Sequence, residues 1–162
     1  MNWRAKHFSL SELCYSDIAR AYGIDNTPDQ MQAANLEWLS VNILDPVRNL
    51  LAVPCKVTSG FRSLALNSHP KIGGAATSDH LAGLAVDFQP IGKSQLTAAK
   101  AIAASKIPFK QLILELRINK DGVPTYWLHI SGDPAAKEPK REVLHYPGHK
   151  PYLPGFPERW PL

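Results

Sequence analysis

Two alternating apolar stretches joined by a short polar turn constrain this chain more than any other feature. Gln111 to Ile118 (QLILELRI) and Pro124 to Ile130 (PTYWLHI) flank Lys120-Asp121-Gly122. Runs of this kind, closed by a glycine-containing turn, predict the two strands of an antiparallel hairpin. Successive strand residues point to opposite faces, so the register decides which side chains meet. With a three-residue loop, Lys120 to Gly122, and Gly122 in the left-handed conformation, Asn119 faces Val123. Glu115 then lies opposite Trp127 and Ile113 opposite His129, so that Glu115, Trp127 and His129 share one side. In that register Glu115 is the diagonal neighbour of His129, about 7 to 8 Å away. A two-residue Asp121-Gly122 turn or a four-residue loop would shift the register by one and turn Glu115 to the other face. The alternative role for Glu115 is an edge carboxylate paired with Arg117 or Lys110.

A second feature lies upstream, in TSDHLAGLAVDF, where His80 and Asp87 stand seven residues apart. Val86 and Phe88 flank Asp87, an alternation that sends the two apolar side chains to one face of a short strand and the acid to the other. A carboxylate inside an apolar segment needs a partner. With His129 from the hairpin, two imidazoles and a carboxylate form a three-ligand set that suits catalytic Zn2+. Three protein ligands leave the fourth tetrahedral position open to a water whose pKa falls to about 7, whereas a structural zinc is more often closed by four. On this reading the chain is a zinc hydrolase. His7, His69, His145 and His149 have no comparable surroundings and read as loop or surface histidines.

At 162 residues, 44% hydrophobic and 20% charged, the composition is that of a globular domain, expected to span 1–162 as one unit. No stretch approaches the roughly 20 apolar residues of a membrane span, and MNWRAKHF lacks the apolar segment of a secretory signal, which points to synthesis in a cytoplasm. The net charge of +4 is scattered, with only Lys137, Lys140 and Arg141 loosely clustered. That distribution argues against a nucleic-acid partner and is compatible with an anionic surface such as a bacterial cell wall. Cys14 and Cys55, without CxxC spacing, read as small buried thiols.

Elsewhere, Ser9 and Glu12 suggest a capping box for a helix through about Tyr22, ended by Gly23. Thr27, Pro28 and Gln30 suggest another, followed by an apolar stripe at Leu36, Leu39, Ile43, Val47 and Leu50 with a kink at Pro46. Lys56 to Ser59 reads as a strand closed by Gly60, a loop from Asn67 to Asp79 delivers His80, and Ser94 caps a helix through about Ser105. The last thirty residues, 133–162, hold half of the 14 prolines and are expected to be irregular. Tyr146, Tyr152, Phe156 and Trp160 suggest that this proline-rich tail packs down. The order of elements indicates an α+β fold, a mainly antiparallel sheet packed with helices.

Three motifs carry a family resemblance: SGFRS at 59–63, GG-x3-S-x-H-x2-G-x-A-x-D from Gly73 to Asp87, and W-x-H-x-S from Trp127 to Ser131. In this order, over roughly Phe8 to Ser131, they resemble the M15 zinc peptidases, which include D-Ala-D-Ala carboxypeptidases, phage L-alanyl-D-glutamate endolysins and vancomycin-resistance dipeptidases. The signalling domain of hedgehog proteins has a similar zinc architecture. The resemblance implies a hedgehog/DD-peptidase-like fold with His80, Asp87 and His129 as ligands of Zn2+. It implies that Arg62 binds the substrate's carboxylate or polarises its scissile carbonyl, and that Ser78 supports the ligand loop, with Ser78 and Trp127 lining the substrate site. Many members carry the catalytic acid three residues before the last histidine, where this chain has Tyr126. Glu115 instead resembles the base of members whose acid lies on the preceding strand.

Arg62 also has a chemical case of its own, since a guanidinium offers two parallel donors to a carboxylate and the peptide stems of bacterial walls end in carboxylates. An ordinary surface ion pair is the alternative. The activity implied is that of a peptidase, D,D-carboxypeptidase or endopeptidase, acting on the stem peptide or cross-bridge of peptidoglycan. The expected setting is a monomeric phage or prophage endolysin, made in the host cytoplasm and acting at the cell wall or periplasm without membrane insertion. A non-catalytic zinc-bearing module that binds the cell wall or serves a phage structure is the rival reading, and the bond cut stays open.

Overall fold

The computed structural model describes residues 2–149 and 151–159. Six strands form one sheet in the order β1 (Cys55–Ser59), β2 (Ala85–Pro90), β4 (Pro124–Ser131), β3 (Gln111–Ile118), β5 (Glu142–Tyr146) and β6 (Leu153–Pro154). Every pairing is antiparallel except that of β3 with β5. The architecture is the expected α+β one with a mainly antiparallel sheet.

The hairpin takes the three-residue loop. Gly122 is left-handed at φ 75°, Asn119 donates its N–H to Val123 O at 3.0 Å, and the register pairs Glu115 with Trp127 and Ile113 with His129. Even-numbered residues of the central strands face the helices: Val86, Leu112, Leu114, Leu128 and Ile130 are fully buried and Phe88 nearly so. Odd-numbered residues face the opposite side. The sheet thus has one apolar face packed on helices and one face that carries polar side chains.

The helical layer departs from the sequence reading at its ends. The segment from Ser9 to Tyr22 forms two helices, α1 (Leu10–Leu13) and α2 (Asp17–Tyr22), because Ser16 supplies a second cap by accepting from Ala19 N–H. The next helix, α3 (Gln30–Leu39), is capped by Asp29 instead of Thr27. The Asp29 carboxylate and the Gln32 side chain form the reciprocal box, and a carboxylate additionally favours the positive end of the helix.

At its far end α3 continues through a π turn (Ser40–Leu44) into α4 (Asp45–Leu51). The turn closes with Asp45 N–H donating to Ser40 O and lies just before Pro46, which has no N–H to continue the α-helical ladder. The extra residue advances the buried face by one position. Leu51 is buried where Leu50 was expected, and Leu50 is exposed. Helix α5 (Leu64–Asn67) opens the loop toward His80, and α6 (Gln95–Ala104), capped by Ser94, packs Ala98, Ala99 and Ile102 on the sheet. Both cysteines are free, Cys55 buried and Cys14 partly so. Among the described residues no helix is long and apolar enough to cross a membrane.

Within the tail at 133–162, read as irregular, the described residues include two short strands, and the remainder has no regular structure. Pro139 and Pro147 bracket EVLHY without interrupting it, so Glu142–Tyr146 pairs as β5, and β6 tolerates Pro154 because it lies at the sheet edge. Phe156 packs against the core and Tyr146 against the Tyr152 ring, while Trp160 lies outside the described residues. Arg141 fixes the start of β5. Its guanidinium donates to Ala103 O at 2.9 Å, Ser105 O at 2.8 Å and Ile107 O, and lies 4.4 Å over the Phe109 ring. These charge-assisted bonds meet carbonyls at the C-terminal end of α6 and hold Arg141 in a left-handed conformation, φ 52°, that costs about 1 kcal/mol or more.

Arg141→Ala should therefore lower stability by about 2 kcal/mol, since several carbonyls lose a charged donor. Urea denaturation measures this. An unchanged midpoint would show that β5 is held by its strand pairing alone.

Candidate metal centre

Three separate segments converge on the polar face of the sheet. Asp87 lies midway along β2, and its cross-strand partner on β4 is His129, so the two share a face by register. His80 arrives from a 3-10 turn (Asp79–Ala82) whose N-cap Ser78 accepts from His80 N–H at 3.4 Å. The turn ends at Gly83, left-handed at φ 72°, where a Cβ would lie 2.6 Å from Gln32 O. Any other residue there would collide with α3.

Ring orientation follows from one backbone bond. His80 Nδ1 donates to Gly60 O at 2.6 Å, which leaves Nε2 as the ring's bare lone pair. Gly60 itself is forced by close approach, because a Cβ would lie 2.1 Å from Leu13 O. The His80 Nε2 atom is 3.3 Å from Asp87 Oδ1 and 3.3 Å from His129 Nδ1, and the last two are 2.8 Å apart. Four-coordinate zinc with ligands at about 2.0 to 2.1 Å would place neighbouring ligand atoms about 3.3 Å apart. Two of the three separations are therefore already at metal-binding spacing, and the third, Asp87 to His129 at 2.8 Å, is a hydrogen bond. Among the described residues, this is the His/Asp/Glu/Cys group able to hold a metal ion.

Burial and mutual charge set the protonation of the group. Burial lowers the pKa of His80 and so favours its neutral, ligating form. For Asp87, burial acts upward, but His80 and His129 outweigh it and hold the carboxyl well below the usual range. Burial likewise opposes charge on His129, yet the hydrogen bond to Asp87 and its negative charge raise that pKa overall. Without a metal, His129 and Asp87 behave as an ion pair that shares the space a cation would fill.

Glu115 faces the same cleft, diagonal to His129 and opposite Trp127. It forms an ion pair with neither expected partner: Lys110 is bound to Asp79 at 2.7 Å, and no pair with Arg117 forms. Burial, with Asp87 adding, pushes its carboxyl up to about 7, the value suited to a group that must take and give a proton near neutrality. Arg62 enters from the loop after β1, its Nη2 3.4 Å from Ser78 Oγ and its Nε buried with no partner. Burial lowers its pKa.

The cleft these residues line measures about 430 Å³. The structure brings all seven sequence-derived candidates, His80, Asp87, His129, Glu115, Arg62, Ser78 and Trp127, to its walls. Sequence reasoning missed Leu144 and Tyr152, which close the side formed by β5 and β6, and Arg117 farther along β3. The proline-free run EVLHY was the available signal for Leu144.

The pH response of the metal-free chain follows from these shifts. Asp87, with a depressed folded pKa, contributes stability that is complete above its ordinary 3.8 and is lost as pH falls through the folded value. His129, with a raised folded pKa, contributes stability that is complete below its ordinary 6.5 and is lost as pH rises through the folded value. The pair therefore stabilises the metal-free chain most between these limits. A metal ion must displace the His129 proton, so affinity for added Zn2+ should rise with pH by up to about tenfold per unit below that raised value. Chelator competition from pH 5.5 to 7.5 measures the slope, and a flat profile would mean that Nδ1 of His129 is not a donor atom.

Comparison with known proteins agrees with the geometry. No curated protein matches the sequence. Residues 6–119 match the family described as Peptidase M15, a stretch that contains Arg62, Ser78, His80, Asp87 and Glu115 and stops short of His129. Members of that family are metal-dependent peptidases, and the match covers well over half of the chain, which therefore belongs to the M15 peptidase family.

Proposed function

We propose that this protein is a zinc-dependent peptidase that hydrolyses an amide bond in the stem peptide or cross-bridge of bacterial peptidoglycan, as a phage or prophage endolysin does. The observation that carries the reading is the convergence of three metal-donor atoms beside Glu115, a carboxylate that forms no ion pair among the described residues and that burial pushes up to about 7. His80 Nε2, Asp87 Oδ1 and His129 Nδ1 would hold the zinc. When bound, the ion supplies Lewis acidity and makes water available as a nucleophile near neutral pH.

The chain's own groups do the rest. Glu115 accepts the proton of the attacking water and passes it to the leaving amine, which requires that the carboxylate alternate between its two protonation states. Arg62 grips a substrate carboxylate with its planar fork. Ser78 caps the turn that presents His80 and touches Arg62, so it supports both. Trp127 offers a flat apolar wall opposite Glu115.

Glu115→Gln should keep the fold and the zinc yet lose activity on purified peptidoglycan by at least about 100-fold, because the amide cannot accept the proton. Mass spectrometry of released muropeptides gives the rate and also identifies the bond. Near-normal turnover would remove Glu115 from the chemistry. His80→Ala and His129→Ala should lose most of the bound zinc, as metal analysis would show.

Arg62→Lys retains the charge but not the bidentate geometry. It should reduce substrate binding or turnover while zinc content and melting temperature stay near wild type. Kinetics equal to wild type would exclude Arg62 from substrate contact, and a large drop in melting temperature would mark it as structural.

A further inference from the structure

The cleft continues past Glu115. Gln111, Ile113, Glu115 and Arg117 are alternate residues of β3 and so project to one face, with Arg117 about 7 Å beyond Glu115 along the strand. The charged neighbours along this wall are mostly compensated. Asp79 is held by Lys110 at 2.7 and 2.9 Å, Asp87 lies between two imidazoles, and Glu142 is bound by Lys140 at 2.9 Å and Gln111 at 2.6 Å. Arg117 differs, for it lines the cleft, is exposed, and forms no ion pair with any described residue.

Beside Glu115 stands an aromatic wall. β5 lies next to β3 with Tyr146 level with Glu115, and the Tyr152 ring rests 4.9 Å from the Tyr146 ring while lining the cleft. Tyr152 is 41% exposed, so much of its ring is free to cover a ligand. Arg62 enters on the opposite side, from the loop after β1, the far edge of the sheet from β6. Asp87 on β2 and His129 on β4 therefore lie between the loop that carries Arg62 and the strand that carries Arg117.

We infer that the Arg117 end of the cleft is a binding subsite for a free carboxylate on the part of the substrate that extends over β3, so that the preferred substrate is an acidic peptide anchored on both sides of the cut amide. The inference rests on the peptidase reading above for what is cut, but not for what is bound. A neutral segment would leave Arg117 with no charged partner nearer than the Glu115 carboxylate along the strand. A carboxylate would receive a charge-assisted bond from the Arg117 guanidinium. Arg117 is on this account a specificity residue and takes no part in the proton transfers.

The test uses the full chain carrying Glu115→Gln, loaded with zinc, so that binding is read without turnover. Its ligands are synthetic stem peptides that differ only in whether each carboxyl group is free or converted to a carboxamide. Calorimetry should find one carboxyl, distinct from any that depends on Arg62, whose amidation weakens binding by about tenfold. That discrimination should fall below about twofold on adding Arg117→Gln and be partly retained with Arg117→Lys. Tyr152→Ala should weaken the acid and amide forms alike. Discrimination unchanged by Arg117→Gln, or absent for every carboxyl, would overturn the subsite. If Arg117-dependent discrimination appears while the wild-type chain cleaves none of the peptides, the subsite stands and the peptidase reading falls. If the wild-type chain cleaves the peptides and no discrimination appears, the peptidase reading stands and the subsite falls.

Discussion

The candidate site depends first on the antiparallel pairing of β2 with β4. Because Asp87 lies directly opposite His129, two of the three metal-donor side chains are placed by backbone hydrogen bonds alone. The same register sends Val86, Phe88, Leu128 and Ile130 into the core. A slip of one residue would bury the carboxylate and imidazole among the helices and expose four large apolar side chains. Hydrophobic burial, at about 1.5 to 3 kcal/mol for each fully buried side chain, thus holds the polar pair in position without any contact between core and ligand.

His80 is placed by different means. It comes from a loop, and a loop side chain needs its own constraints to match the precision of a strand. These are the Ser78 cap, the left-handed Gly83 packed against Gln32, and the bond from Nδ1 to Gly60 O. Two glycines are required here by space. The resulting centre joins a rigid half, built into the sheet, to a half fastened by short local contacts.

Much of this is legible in the sequence because it obeys period-two rules. The hairpin turn residues narrow the register to a few loop lengths, and once the three-residue loop forms, the register alone locates Glu115 relative to His129. The differences at the helix ends are local: Asp29 competes with Thr27 for the same role, and the phase advance that exchanges Leu50 for Leu51 needs a π turn that no residue pattern announces. The tail reads as irregular for a compositional reason. Proline density averaged over 133–162 conceals the five-residue run without proline that forms β5. Arg141, whose bonds reach back to Ala103, Ser105 and Ile107, is a contact between segments far apart in sequence, and such contacts leave no local trace.

The parallel pairing of β5 with β3 has a bearing on assembly. β3 and β4 are neighbours in sequence and can zip together through a local turn, but the other edge of β3 stays open until residue 142 and beyond have come round to it. Until then a strand rich in leucine and isoleucine presents unpaired backbone groups, the arrangement most prone to recruit a strand from another molecule. A chain cut short before Glu142 would keep most of its core and the three metal-donor residues yet retain that open edge permanently. Its characteristic failure would be self-association through β3.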